Sequence, residues 1–428
     1  MTAPSENRSG AATSQICIRM YNVGFGDCFL LRIPTQDGER RMLVDCGFHS
    51  QGKGDFSDKQ LVEKIKEHLN GEGLHVIVAT HRHQDHISGF GERELWAGVA
   101  VEEVWLPFTV NPDAARDEPA LRAWQGLMGA AAAMCDANGG LTPAALTALG
   151  SRDAADQAAV AFMLWNARVN QPAIDNLLHG FRRADGRPSI RRFLPEKGDY
   201  PTKFESPVLP RVKVHVLGPP TDPGMRKSKR IPATWAFDAA GVGAPATAFD
   251  SPFSEDWRVP VDTLPASRPF LDKSLEAIRL FNDDLRYAAK ALDGFLNGES
   301  LVLVLEIGAA RLLLPGDAEV GAWMTILANP TALELAASAT FVKIGHHGSH
   351  NATPLMFVRE HFGEKTAAMI STRQGPGTYR NGIPLQGLLT EMGSRHMTFV
   401  RSDQPPTAAQ GVFTPGEDGQ WIDCTIPC

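Results

Sequence analysis

The sequence predicts an α/β protein in which alternating strands and helices are interrupted by a large, mainly helical insertion. Three observations predict it. Short apolar runs rich in β-branched residues, bounded by Gly, Pro and Asp, recur in the first and last parts of the chain. Segments with apolar residues at helical spacing stand between several of those runs. A central Ala-rich stretch, from about 111 to 210, largely lacks such runs and separates the two parts.

In chain order, residues 1–15 read as a flexible tail, after which ICIRMYNVG (16–24), CFLLRIP (28–34) and RMLVDCG (41–47) read as strands joined by close turns. Leu61, Val62, Ile65 and Leu69 place a helix over 57–69. LHVIVAT (74–80) is too short and too β-branched for a helix and reads as a buried strand, and VEEVWLP (101–107) is another. The insertion carries LMGAAAAMC and similar helical stretches, then the Arg-rich RRADGRPSIRR (182–192). RVKVHVLG (211–218) resumes strand character, and 219–270 is irregular, a length of loop that is usually functional or mobile. From about 271 the expected order is a helix at 272–293, strands LVLVLEIG and ARLLLPG, a helix after Asp317, strand TFVKIG, a helix near 354–361, strand AAMIST, a helix near 385–392 and strand HMTFV. The domain thus divides as 16–110 and 211–428 around the 111–210 insertion. No repeat of solenoid period is present.

The chain has 428 residues, 43% hydrophobic and 21% charged, enough to bury a sizeable core. A formal net charge of -7, from 42 Lys+Arg against 49 Asp+Glu, excludes coating nucleic acid through bulk charge. Six cysteines (Cys17, Cys28, Cys46, Cys135, Cys424, Cys428) with no CxxC pair fit neither a disulfide scaffold nor a structural zinc. A reducing compartment fits, and the expectation is a cytoplasmic chain: the first residues lack a signal peptide's apolar core, and the most apolar stretch, 301–314, is broken by Glu306 and Arg311. No membrane association is expected.

The chemistry is concentrated at strand ends. His81-Arg82-His83-Gln84-Asp85-His86 follows the buried strand LHVIVAT, where open sheets place their sites. Three imidazoles and a carboxylate on one loop can turn inward together, and their N and O donors suit Zn, Mn or Fe. Asp317 follows ARLLLPG, His346-His347-Gly348-Ser349-His350 follows FVKIG, and Asp45 ends RMLVDCG. Four strands therefore deliver Asp45, the His81 to His86 cluster, Asp317 and the His346 to His350 cluster to their C-terminal ends, as a dinuclear metal site requires. One carboxylate can bridge two cations.

With these residues in place, the sequence resembles the metallo-β-lactamase superfamily. HRHQDH is similar to its HxHxDH signature, Asp45 to the acidic residue of its first motif, Asp317 to its bridging acid and His346/His347 to its last His motif. More narrowly it resembles the metallo-β-lactamase domain of the ComEC/Rec2 competence proteins: YNVGFGDCFLL is like VGQGD, NGESLVLVLEIGAARLLLPGD is like a strand pair ending in GD, and FVKIGHHGSH is like LKxxHHGS. The resemblance covers about 16–107 and 297–402 and implies an αββα sandwich of the metallo-β-lactamase type. It implies two divalent ions, zinc foremost, one held by His81 and His83 and the other by Asp85, His86 and one of His346 and His347, with Asp317 bridging. Asp27, in the VGQGD-like segment, and Asp45 would support them from behind. Two departures are evident. The third imidazole for the first metal has no clear match, His179 lying in the insertion and His215 in mid-strand, and Asn381 or Gly382 stands where the related group has a His. A weak first site follows from this. The group's membrane channel is absent from this chain, so its role in DNA uptake does not carry over.

The implied activity is hydrolysis by a metal-bound hydroxide, with Asp85, Asp317 and His347 at the catalytic centre. Likeness to the competence group favours phosphodiesters, nucleic acid among them. So do Arg182/Arg183/Arg187/Arg191/Arg192 and Arg226/Lys227/Lys229/Arg230, of which Arg182 and Arg191 are the first candidates to meet phosphate. Tyr379 and Arg380, on a Gly-rich loop after AAMIST, are candidates to donate to an oxyanion. Two alternatives remain: a hydrolase of small esters, thioesters or lactones, and a non-catalytic metal-binding module.

Overall fold

The computed structural model describes residues 15–49, 56–114, 122, 170–226, 228, 296–373 and 383–428. The Ala-rich helices expected at 127–167, the helix expected at 272–293 and the loop carrying Tyr379 and Arg380 lie outside them.

The apolar runs fold into two sheets. Strands β1 (Gln15–Tyr21), β2 (Cys28–Thr35), β3 (Gly38–Cys46), β4 (Leu74–Val78), β5 (Val101–Pro107) and β6 (Ile190–Leu194) belong to the first, and β7 (Thr202–Glu205), β8 (Val212–Gly218), β9 (Val302–Ile307), β10 (Ala310–Leu314), β11 (Phe341–Lys343), β12 (Ala367–Ile370) and β13 (Thr398–Arg401) to the second. Two more strands, β14 (Phe413–Pro415) and β15 (Trp421–Pro427), return to the first sheet. Among the described residues the strand orders are β14-β15-β1-β2-β3-β4-β5-β6 and β13-β12-β11-β10-β9-β8-β7. In each sheet the neighbours of the site run parallel: β3, β4, β5 and β6 in one, β10, β11, β12 and β13 in the other.

Period-two alternation decides what each strand buries. Ile16, Ile18 and Met20 of β1 meet Val212, Val214 and Val216 of β8 and Leu303 and Leu305 of β9 in a core between the sheets. Side chains on the outer face of the first sheet, such as Leu43 and Ile77, pack under helix α1 (Asp58–Leu69) through Leu61, Val62, Ile65 and Leu69. Helix α1 starts where it does because the Ser57 hydroxyl accepts from the Gln60 N–H while the Gln60 side chain accepts from the Ser57 N–H. The second sheet is covered by α5 (Val320–Ala328), α6 (Pro330–Ala337), α7 (Leu355–His361) and α8 (Gln386–Ser394), against which Val304, Leu313 and Val342 pack. Three shorter α-helical turns are α2 (Gln84–Ile87), α3 (Arg93–Trp96) and α4 (Pro223–Arg226). The architecture is the αββα sandwich expected.

Four strands were not expected from the sequence. β6 and β7 come from the last part of the stretch read as an insertion and form one edge of each sheet, so residues 190–205 belong to the sandwich. Most of their residues are exposed or half-buried, as in edge strands with one poorly covered face. β15 pairs antiparallel with β1, from Gln15↔Pro427 to Tyr21↔Trp421, and carries β14 beside it. Arg19 and Asp423 clamp this pairing with two hydrogen bonds of 2.7 Å, and the Arg19 guanidinium lies over the Trp421 ring.

The sheets meet at the end where β4 and β10 finish. The Leu301 N–H donates to the Thr80 carbonyl at 2.8 Å, and Gly316, at φ 55, comes close to the same residue. A Cβ at Gly316 would stand 2.9 Å from the Thr80 Cβ and 3.2 Å from the Leu301 carbonyl oxygen, so both the backbone angle and the space require glycine. Gly316→Ala is expected to cost on the order of 2 kcal/mol, from the left-handed backbone and the clash together. Urea unfolding measures it, and an unchanged midpoint would show that the junction tolerates a side chain.

Candidate metal centre

Each donor is placed by the end of a strand. β3 ends in Asp45 at φ 57, and Gly47 then lets the chain press against α2: a Cβ there would lie 2.4 Å from the Gln84 carbonyl oxygen. β4 runs out at Val78 into Thr80, His81 and His83, with Asp85 and His86 on α2. β10 leads through Gly316 to Asp317, and β11 leads to His346 and His347, both with positive φ. Because β2 is antiparallel to β3, Asp27, just before β2, reaches the same edge.

The Asp45 carboxylate is buried and accepts three hydrogen bonds, from the Thr80 N–H, the Thr80 hydroxyl and His86 Nδ1, each 2.7 Å. This holds the His86 ring by one nitrogen and turns Nε2 to Asp317 Oδ2 at 3.0 Å and Asp85 Oδ2 at 3.9 Å. His347 is held in the same way. Its Nδ1–H donates to the Ser371 carbonyl at 2.9 Å, leaving Nε2 at 3.1 Å from Asp85 Oδ2 and 3.8 Å from Asp317 Oδ2. Donor atoms of Asp85, His86, Asp317 and His347, all buried, lie within 4.8 Å of one another. Beside them, His81 Nε2 lies 3.0 Å from His83 Nδ1, and the His81 and His86 rings are 4.1 Å apart.

The charges explain each other. Burial works against ionising the carboxyls, but His86 and its neighbours overcome it, and Asp85 and Asp317 are held well below the usual carboxylate range. Burial works against the imidazolium of His86 too, yet Asp317, Asp45, Asp27 and Asp85 lift it well above an ordinary histidine, and His347 is raised likewise. His81 goes the other way, lowered by burial and by the neighbouring imidazoles. Carboxylate-rich N and O donors in a buried cluster, two of them imidazoles fixed at the outer nitrogen, fit divalent transition-metal ions.

Comparison with known proteins agrees. Residues 21–122 match the family described as Metallo-beta-lactamase superfamily. Among solved structures, that of the metallo-beta-lactamase fold protein YhfI from Bacillus subtilis is similar over 91% of this chain and 96% of that chain, at 6% identity and a TM-score of 0.36. A search of curated proteins found no match. The matched family is the superfamily as a whole, not the competence-protein group within it. Among the described residues no helix is long and apolar enough to cross a membrane.

Within this cluster the candidates separate. His347 joins Asp85, His86 and Asp317, whereas the His346 ring turns to Glu319, Nδ1 to Oε1 3.8 Å, and only its backbone N–H reaches Asp317. His215 packs against Glu306 on β9, and His179 is exposed on the turn before β6, so neither joins His81 and His83. Arg182 and Arg191 are not brought to the site. The Arg182 carbonyl accepts from the N–H of Val101, where β5 begins, at the end of the sheet opposite the metal centre and roughly 20 Å from it. The guanidinium of Arg182 donates to the carbonyls of His179 and Phe181, and that of Arg191 to those of Leu177, Ser189 and Phe181. Arg192 is paired with the buried Glu103, and Arg226 is buried with its guanidinium on the carbonyls of Pro220 and Thr221. Both basic segments thus serve local structure wherever they are described.

Sequence reasoning gave no role to Lys343, Thr80 or Ser371. Lys343 is 3% exposed; its Nζ donates to Asp317 Oδ1 at 3.0 Å and to the Gly316 carbonyl at 2.8 Å, and it is ion-paired with Asp27 Oδ2. The available signal was a single cation inside the otherwise apolar FVKIG.

The raised histidines set a sign. In the metal-free chain, protonated His86 and His347 contribute stability that is present below the ordinary histidine value, near 6.5, and is lost as pH rises through their raised folded values. A divalent ion displaces those protons, so zinc added to the metal-free chain at pH 7 should release on the order of one or two of them. Calorimetric heats in buffers of different ionisation enthalpy report the release. Heats independent of the buffer would show that these rings are already neutral.

Proposed function

We propose that the chain is a metal-dependent hydrolase of phosphodiester bonds. The observation that carries metal-dependent hydrolysis is the convergence of Asp85, His86, Asp317 and His347 in a domain of a superfamily made up mostly of hydrolases. The phosphodiester class is supported by the likeness of YNVGFGDCFLL, NGESLVLVLEIGAARLLLPGD and FVKIGHHGSH to the competence proteins, and the basic segments add nothing to it. Asp85, His86, Asp317 and His347 would hold one divalent ion, zinc foremost, and His81 and His83 a second with Asp317 shared. Bound there, such ions supply an acidified water and offset charge developing on the substrate oxygens.

The chain's own residues prepare the place. Asp85 is held ionised against its burial by His86 and His347, and Asp317 by His86 and Lys343. Asp45 and the Ser371 carbonyl fix the tautomers of His86 and His347, so both rings present Nε2 without a search for geometry. The Phe25 ring packs against that of His347, with ring centroids 4.1 Å apart, and helps to hold it.

The purified chain should contain transition metal and hydrolyse bis-p-nitrophenyl phosphate in preference to a thioester and a lactone. Asp317→Ala should lower metal content and reduce turnover by more than about a hundredfold, since supporting residues behind metal ligands already cost ten- to a hundredfold. A metal-free, fully active preparation would refute the metal, and a lactone cleaved while the phosphodiester is left intact would refute the substrate class. Because neither His179 nor His215 joins His81 and His83, their ion should leave first under mild chelation. Simultaneous loss of two equivalents would reveal a further ligand.

A further inference from the structure

We infer that Lys343 is a positioning residue that commits Asp317 to offering one oxygen, Oδ2, to the metal centre, with Asp27 as the counter-charge that allows a lysine to sit there. The inference deepens the metal-dependent reading above and rests on it. Lys343 Nζ donates to Asp317 Oδ1 at 3.0 Å and to the Gly316 carbonyl at 2.8 Å, and its ammonium is ion-paired with Asp27 Oδ2. Asp317 Oδ1 also accepts from the His346 N–H at 3.0 Å, which fills its second lone pair. Oδ2 has no such partner from behind, and faces His86 Nε2 at 3.0 Å and His347 Nε2 at 3.8 Å. Chelation of one ion through both Asp317 oxygens is therefore closed, and Oδ2 alone must serve every ion that Asp317 touches.

Charge counting agrees. Asp27, Asp45, Asp85 and Asp317 are all buried, and Lys343 is the buried ammonium among them. Asp27 and Lys343 cancel, leaving three negative charges, which two divalent ions and one monoanion balance. Lysine without Asp27 would leave the cluster one negative charge short. The site keeps the lysine for its directions at no net cost in charge.

Charge and position make opposite predictions. If Lys343 acted through charge alone, removing it with its partner would leave zinc affinity unchanged, and removing it by itself would tighten binding. If it positions Asp317, removal loosens binding. The test uses the full chain and Asp27→Asn/Lys343→Met, which deletes the pair without leaving a buried charge alone. Zinc affinity by chelator competition should fall about tenfold or more. The cobalt-substituted protein should show weaker ligand-field absorption as Asp317 becomes free to chelate. Lys343→Arg keeps the charge but presents a fork able to engage both Asp317 oxygens. It should also weaken zinc binding about tenfold, and it tests the inference if the double variant does not fold. Parent-like affinity and cobalt spectra in the folded variants would overturn the role of Lys343. A parent chain that takes up no metal would overturn the functional reading instead.

Discussion

Four carboxylates buried at one edge of a sandwich are the constraint on which the rest depends. An isolated carboxylate in a protein interior costs several kcal/mol, so Asp27, Asp45, Asp85 and Asp317 can be there only if every one is answered. The answers come from both sheets. Thr80 donates twice to Asp45, Lys343 is shared between Asp27 and Asp317, and His86 stands among all four. These partners lie on strand ends because strand ends bring backbone N–H groups and side chains to one line without interrupting a ladder. The αββα architecture supplies two such lines, and the junction of β4 with β9 and β10 sets them face to face.

That arrangement is strained in its backbone. Asp45, His346 and His347 all have positive φ, a conformation costing of order 1–3 kcal/mol for residues other than glycine. The cost is carried by the three apolar clusters, between the sheets and on both outer faces, in which residues such as Phe341, Trp105 and Leu61 are fully buried. Each large side chain so buried contributes about 1.5–3 kcal/mol before the entropy of ordering is counted. Strain is therefore local to the donors, and the stability that offsets it is spread over the sheets.

The site was legible where chemistry and position coincide. HRHQDH, Asp317 and the HHGSH segment each follow a run apolar enough to read as a buried strand, and the structure puts those runs at one edge. Which histidine of His346 and His347 turns inward could not be read, because a left-handed turn at both residues, not their spacing, sends one ring to Asp85 and the other to Glu319. The role of Lys343 is not legible in the sequence, since a lysine in a strand ordinarily marks an edge and only the buried carboxylates on either side show otherwise. The Arg-rich segment misled for the converse reason: a run of cations looks like a phosphate cradle until backbone carbonyls are found to occupy the guanidiniums. Strands β6, β7, β14 and β15 lack a strong apolar alternation or are very short, so their membership in the sheets is decided by their neighbours.

The pairing of β1 with β15 also governs the order in which the protein can be made. Residues 15–21 leave the ribosome some four hundred residues before Trp421–Pro427, the strand that lies against them. Throughout that interval β2 can cover one side of β1, while the other side keeps a row of unsatisfied N–H and C=O groups in the middle of what will be a sheet. Local hairpins and helix α1 can form during translation, but this side of β1 is paired only when β15 arrives, some four hundred residues later. Until Trp421–Pro427 are made, the growing polypeptide therefore carries an open β-edge along Gln15–Tyr21.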